Sequence, residues 1–193
     1  RSSGRMGFAI AAAAWRRGAD VTLIAGPTSV PPPVGPALVR VETAEQMLAA
    51  VRDAVPDADV LVMAAAVADF RPANPSAVKV KKSERPDALA LEPAPDVLRS
   101  TIDVRRPGAV IVGFALETGD GRENARGKLR DKALDMIVLN SAGEPGAGFD
   151  VDTNRVVVMD VRGGEEDLPL LSKDEVAEEL LDRIGALLPE RLA

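Results

Sequence analysis

The sequence predicts an α/β fold, an open, mostly parallel, doubly wound sheet with an added β-hairpin. Three observations carry this. Strand-like and helix-like segments alternate along most of the 193 residues, the pattern that parallel strands joined by crossover helices produce. The segments DVLVMAAA (59–66) and AVIVGFA (109–115) are apolar without alternation, as strands covered on both faces are. Thr43 to Gln46 and Ser172 to Glu175 have the spacing of capping boxes, which mark helix starts.

Taken in order, the turn Ser2-Ser3-Gly4-Arg5-Met6-Gly7 leads into FAIAAAAWRR (8–17), Ala-rich and helix-favouring, with Gly18 where a C-cap glycine belongs. VTLIA (21–25) is a β-branched strand stopped by Gly26-Pro27. Pro31, Pro32, Pro33 and Pro36 make the next stretch an extended loop. After Thr43, the residues Met47, Leu48, Val51, Ala54 and Val55 recur at helical intervals, and the strand 59–66 follows. AVKVKK (77–82) and ALAL (88–91) are expected to pair as a hairpin, and Pro95-Asp96 to start a short helix capped by Asp96. Then come the strand 109–115, a polar helix over 122–134 and the strand MIVL (136–139). Residues 156–161 and 168–171 bracket Arg162-Gly163-Gly164 as an antiparallel hairpin, and the last helix runs from Ser172 to about Leu188. The first element is a helix, so the sheet is expected to lack the strand before it. Residues 1–193 read as a single, N-terminally truncated domain.

Composition removes whole classes of chemistry. The chain has no His, Cys or Tyr, which excludes zinc sites built on those ligands, disulfides, thiol nucleophiles and Ser-His pairs. At 3% aromatic content, stacking platforms for single-stranded nucleic acid are not expected. The net charge of −6 is uneven: residues 144–193 carry 5 basic and 13 acidic residues, and the remainder is mildly basic. No apolar run reaches the roughly 18 to 20 residues of a membrane span, and a cytoplasmic protein with no nucleic-acid or membrane partner is expected.

Four segments are candidates for chemistry. Gly4 and Gly7 at a helix N-terminus suit a phosphate or carboxylate, or merely a turn. Ala64, Ala65, Ala66, Val67, Ala68 and Asp69 stand past a strand's carboxyl end, where open α/β sheets place ligands, although tight strand–helix packing would use the same residues. Lys79, Lys81 and Lys82 fit a charged edge strand that resists aggregation, or a clamp on polyphosphate. On the helix over 122–134, Lys128 and Lys132 are neighbours on a face that is solvated or cradles an anion. Glu117, Asp96 and Asp152 have no spacing that pairs them for acid–base work.

The blocks SSGRMGFAIA (2–11), AAAVADFRP (64–72), KVKK (79–82), PDVL (95–98) and GFALET (113–118) stand in order, followed by Ala125-Arg126-x-Lys128-x3-Lys132 and Gly148-Phe149-x-x-Asp152-x-Asn154. Together they resemble the phosphopantothenate–cysteine ligases of coenzyme A biosynthesis over nearly the whole chain. The resemblance implies a Rossmann-like sheet with a dimerisation element, and commonly a fused flavin-dependent decarboxylase domain. It implies that CTP activates the carboxylate of 4′-phosphopantothenate as an acyl-cytidylate, from which the amine of L-cysteine displaces CMP. It places Met63, Ala64, Ala65, Asp69, Lys79, Pro95, Asp96, Val97, Leu98, Phe114, Lys128 and Lys132 around the nucleotide, with Lys79 catalytic. Ala66, Ser2, Ser3 and Gly4 would then meet the phosphopantothenate. Mg²⁺ is expected with the triphosphate, its protein ligands unknown, and the protein is expected to be a homodimer. The family's Asn just ahead of Arg1 and its Gly-rich turn precede this sequence, so the fragment is expected to bind nucleotide with little ligation. Leu139-Asn140-Ser141 departs from the usual Ala-Asn-Asp. Two other readings stand beside this: a nicotinamide-dependent oxidoreductase on a Rossmann-like sheet, which lacks its G-x-G-x-x-G turn here, and a non-catalytic dimerisation domain.

Overall fold

The computed structural model describes residues 3–76, 78, 79, 81, 88–117, 121–141 and 152–188. The first helix, α1 (Arg5–Arg16), begins three residues earlier than its apolar run. Strands β1 (Thr22–Ala25) and β2 (Ala37–Arg40) form a parallel pair. The sequence reading missed β2 because its exposed ALVR lies directly behind the proline loop. Helix α2 (Ala44–Ala54) starts at a full capping box, in which Gln46 N–H donates to the Thr43 hydroxyl. Strand β3 (Val60–Met63) is shorter than expected, ending before the alanines.

The hairpin expected over 77–91 is corrected. The strand β5 (Leu91–Pro93) pairs antiparallel with β4 (Phe70–Pro72), Pro72 opposite Leu91. Val78, Lys79 and Lys81 are not in a strand, and the rest of that arm lies outside the described residues. Asp96 does not cap a helix as expected: the helix that follows is 3₁₀ (Arg99–Val104), with Leu98 at its N-cap and no side-chain cap, because a turn at 97–98 comes first. Asp96 Oδ1 instead closes that turn, accepting from Arg99 N–H at 3.1 Å. Next come β6 (Val110–Glu117), α3 (Gly121–Asp131) and β7 (Met136–Ser141). The short β8 (Thr153–Asn154) precedes β9 (Val156–Asp160). The strand returning along β9 is the acidic β10 (Glu165–Asp167), not 168–171. Hairpin register, set at the tight turn after Asp160, wins over apolar content here. Leu171 instead lies in β11 (Leu171–Ser172), which pairs with β8. Helix α4 (Lys173–Leu187) opens on the second capping box, Ser172 with Glu175.

The main sheet has the order β10-β9-β7-β6-β3; β3, β6 and β7 are parallel, and β9 and β10 run antiparallel to their neighbours. Alternate residues of the inner strands serve opposite faces. Val110, Val112, Met136 and Val138 pack under α1 and α4, whereas Ile111, Ala115, Ile137 and Leu139 pack under α2, α3 and the segment 97–98. The sheet is therefore doubly wound. Ala9 and Ala13 are small enough to seat α1 against this face, and Arg16 and Arg17 close its exposed end on Glu178 and Asp182.

Among the described residues β1 pairs only with β2, and β3 only with β6. A cavity of about 1360 Å³ lies between α1, β1 and β3.

Gly113 lets the α2/α3 face close over β6. A Cβ there would lie 2.7 Å from Leu134 Cδ1 and 3.5 Å from Leu98 Cδ1, both in side chains that are almost fully buried. Gly113→Val is expected to cost about 1–3 kcal/mol by overpacking, lowering the thermal midpoint by several degrees; an unchanged midpoint by calorimetry would contradict this packing.

Candidate functional site

The carboxyl ends of the parallel strands open onto one mouth of the cavity, where Ser3, Gly4, Ala64, Ala65, Ala66 and Phe114 meet. Gly4 sits at the N-cap of α1 with φ 80, and no side chain caps the helix there. A Cβ on Gly4 would lie 2.5 Å from Thr28 Cγ2, so both backbone conformation and space require glycine. The first-turn N–H groups of α1 thus stand beside Ala64, whose Cβ lies 3.6 Å from where one on Gly7 would be. A helix N-terminus against a strand end of small residues suits a phosphate or carboxylate approaching backbone closely.

The nucleotide and phosphopantothenate residues expected from the sequence fall into three groups. Met63, Ala64, Ala65, Ala66, Phe114, Ser3 and Gly4 line the cavity. Met63 turns its side chain into the α2/α3 core, and Phe114 packs on the opposite face with α1 and α4. Ser2 lies outside the described residues.

The second group sits on the α3 face. Lys132 Nζ pairs with Asp96 Oδ2 at 2.9 Å, and Lys128 Nζ with Glu117 Oε1 at 2.5 Å. Glu117 also accepts from Asn124 at 3.3 Å. It is an odd-numbered residue of β6 and so faces α3, whose first residue Gly121 leaves it room: a Cβ there would lie 2.8 Å from Glu117 Cβ. Val97 and Leu98 spend their side chains in the core. The turn 95–98 therefore offers a ligand only Asp96, the rim at Pro95 and backbone groups. The other cations of α3 are divided: Arg122 and Arg126 bind Glu165 on β10, and Arg122 also binds Asp167.

The third group is exposed. Asp69 stands at the foot of the β4–β5 ribbon, its carbonyl accepting from Ala94 N–H at 2.9 Å, and Lys79 lies on the surface. The structure brings neither to the cavity wall.

Two polar residues of the cavity were not chosen from the sequence. Asn154 is 2% exposed, and its Oδ1, like that of Asn140, is buried with no hydrogen-bond partner. Both line the cavity. A signal was present, since Asn140 ends the apolar run MIVL and Asn154 stands two residues ahead of VVVM. Among the described residues no group of three or more metal-ligating side chains gathers, and no helix is long and apolar enough to cross a membrane.

These features define a doubly wound α/β protein with a cavity that runs along β1 and β3, one mouth at the carboxyl ends of the parallel strands and a helix N-terminus in its wall. The chain belongs to the DNA/pantothenate metabolism flavoprotein C-terminal domain family, whose model matches residues 1–188. A relative from Mycobacterium bovis, described as coenzyme A biosynthesis bifunctional protein CoaBC, is 45% identical over 199 residues, covering 97% of this chain and 47% of its own. Another, from an unknown prokaryotic organism and described as a cysteine/cysteine sulfinic acid decarboxylase, is 40% identical over 187 residues, 96% of this chain and 52% of its own. The chain thus spans about half the length of these relatives. The crystal structure of the C-terminal domain of a CoaBC protein superposes with a TM-score of 0.78 at 36% identity, covering 96% of this chain and 83% of that one. The family read from the sequence motifs is the one these comparisons give.

The Lys128 hydrogen bond holds the Glu117 carboxyl below its usual pKa, against burial. Burial raises that of Asp96, but Arg99 N–H and Lys132 outweigh it and leave it lowered. A carboxylate lowered in the folded state stabilises above its unfolded pKa of about 4, and loses that contribution as pH falls through the folded value. Glu117→Gln is therefore expected to destabilise the protein at pH 7 and to match the unaltered protein once both are acidified below the usual carboxylate range. Denaturant titrations across pH 7 to 3 check this, and a stability gap that persists unchanged at the acid end would contradict it.

Proposed function

We propose that the chain is the ligase part of a coenzyme A biosynthesis protein, joining 4′-phosphopantothenate to L-cysteine. The carboxylate oxygen attacks the α-phosphorus of CTP, pyrophosphate leaves, and the cysteine amine then displaces CMP to form the amide. The observation that carries this reading is the meeting of the Gly4-capped N-terminus of α1 with the small-residue end of β3, within a family whose relatives bear coenzyme A biosynthesis names. Both nucleophiles come from the substrates, so a chain without His or Cys can do this chemistry by positioning and charge neutralisation.

In this reading the N–H groups of α1, with Ser3 and Ala66, take the acid substrate. Phe114 gives the base an apolar wall with Met63, Ala64 and Ala65 beside it, and the turn 95–98 with Lys128 and Lys132 receives the phosphates. Lys79, with Asp69 nearby in sequence, comes from the exposed arm to meet charge developing during nucleotidyl transfer. Magnesium enters with the triphosphate, most of its ligands being phosphate oxygens and water. A fused decarboxylase domain and a cytoplasmic location go with the same reading.

Calorimetric titration with MgCTP, MgATP and NAD⁺ tests it: CTP binding is expected, and binding of NAD⁺ alone would move the chain to the oxidoreductase class. Lys79→Gln is expected to slow pyrophosphate release by ~10² to 10³, and an unchanged rate would remove Lys79 from catalysis.

Homodimer formation belongs to the same proposal, and the β4–β5 ribbon supports it. Opposed residues of an antiparallel pair share a face, so Phe70, Pro72, Leu91 and Pro93 lie together, with Phe70 61% and Leu91 57% exposed. Arg71, on the other face, pairs with Glu92 across the ribbon and ties the ribbon to Glu45 of α2. Light scattering is expected to give twice the 20.2 kDa chain mass, and Phe70→Glu to shift it toward monomer; a monomer in the unaltered protein would refute the dimer.

A further inference from the structure

We propose that Arg105 is a positioning residue for the phosphate-binding lysines, locking the turn 95–98 against the end of α3. The inference rests on the nucleotide reading above. Arg105 follows the 3₁₀ helix that begins at Arg99, and its guanidinium reaches across to α3. Nη1 donates to Lys132 O at 3.0 Å and to Ala133 O at 2.8 Å, and Nη2 donates to Leu98 O. One planar fork therefore holds the last residue of PDVL and the carbonyl of Lys132 itself. The Asp96–Lys132 ion pair crosses the same seam at 2.9 Å, and Leu98 and Leu134 close it over Gly113.

Two local features mark the seam, where Leu134 N–H closes the end of α3 on Leu129 O at 2.9 Å. Ala133 adopts φ 48, a left-handed conformation that disfavours a side chain by roughly 1–2 kcal/mol, and its carbonyl goes to Arg105. The Arg105 Nε is buried without an acceptor, a desolvated donor that folding alone does not reward. Arg52 makes the contrasting staple, binding Ser100 O and Asp103 from α2 and touching neither the turn 95–98 nor the end of α3. A lysine cannot reproduce the Arg105 fork, since an ammonium lacks its planar donor geometry.

The test measures CTP and CMP affinity of the unaltered chain, Arg105→Lys and Arg52→Lys by calorimetry, with thermal midpoints alongside. Misplaced lysines should weaken CTP about 10-fold or more in Arg105→Lys, leaving CMP within about twofold, and Arg52→Lys should leave both within about twofold. In a Lys132→Gln background, Arg105→Lys should weaken CTP by much less than it does alone. A CTP-to-CMP ratio unchanged in Arg105→Lys, or shifted equally by Arg52→Lys, overturns the inference and leaves the nucleotide reading standing. Failure of the unaltered chain to bind either nucleotide overturns both. Arg105→Gln carries the same readout if Arg105→Lys does not fold.

Discussion

Strand β6 is the constraint on which both the fold and the site depend. Its neighbours on both sides are parallel, so its side chains must serve two packed faces alternately. Even-numbered residues support α1 and α4 and carry Phe114 to the cavity; odd-numbered residues support α3 and carry Glu117 to Lys128. Gly113, in the odd series, removes one side chain so that Leu98 and Leu134 can descend onto the sheet. A one-residue slip in this strand would exchange the faces, taking Phe114 from the cavity and Glu117 from α3 together.

The charge distribution follows the chemistry of the cations. The acidic residues that give the C-terminal region its negative balance meet arginines: Glu178 binds Arg16 and Arg17, Glu165 binds Arg122 and Arg126, and Glu166 binds Arg183. The acidity read from composition is thus largely internal counter-charge for the helices that cover the sheet. Lys128 and Lys132 instead pair with carboxylates from β6 and the turn before the 3₁₀ helix. An ammonium has three donors and no fixed fork, so it can keep its carboxylate while donating to a phosphate. In these pairs the arginines join helices to one another or to strands, and Lys128 and Lys132 are the cations that the proposed function assigns to a ligand's charge.

Features governed by local rules were legible in the sequence. The capping boxes at Thr43 and Ser172, the unbroken apolar runs of β3 and β6 and the glycine turn before α1 depend on residues adjacent in the chain. What was missed depends on distant partners. β2 is visible only through its pairing with β1. β5 takes β4 rather than the lysine arm because Asp69 and Ala94 close the ribbon. The opposite placement of Phe114 and Lys128 is a matter of sheet faces, which a list of motif residues does not contain. Arg105 was invisible for the same reason, since its acceptors are backbone carbonyls that any sequence supplies.

The places where this structure breaks local rules point to the same two regions as the motifs. Gly4 in the left-handed region stands at the cavity mouth, and the unpartnered amide oxygens of Asn140 and Asn154 belong to residues of its lining. Ala133 in the same region of backbone space and the unpartnered Arg105 Nε lie at the α3 seam. A buried polar group left unpaired costs about 1–3 kcal/mol, and a marginally stable domain has little to spare. Such costs persist where the surrounding packing enforces them, and they concentrate at functional sites. Family motifs and local strain are independent kinds of observation, and their coincidence at the end of β3 and along α3 supports the proposed site from two directions.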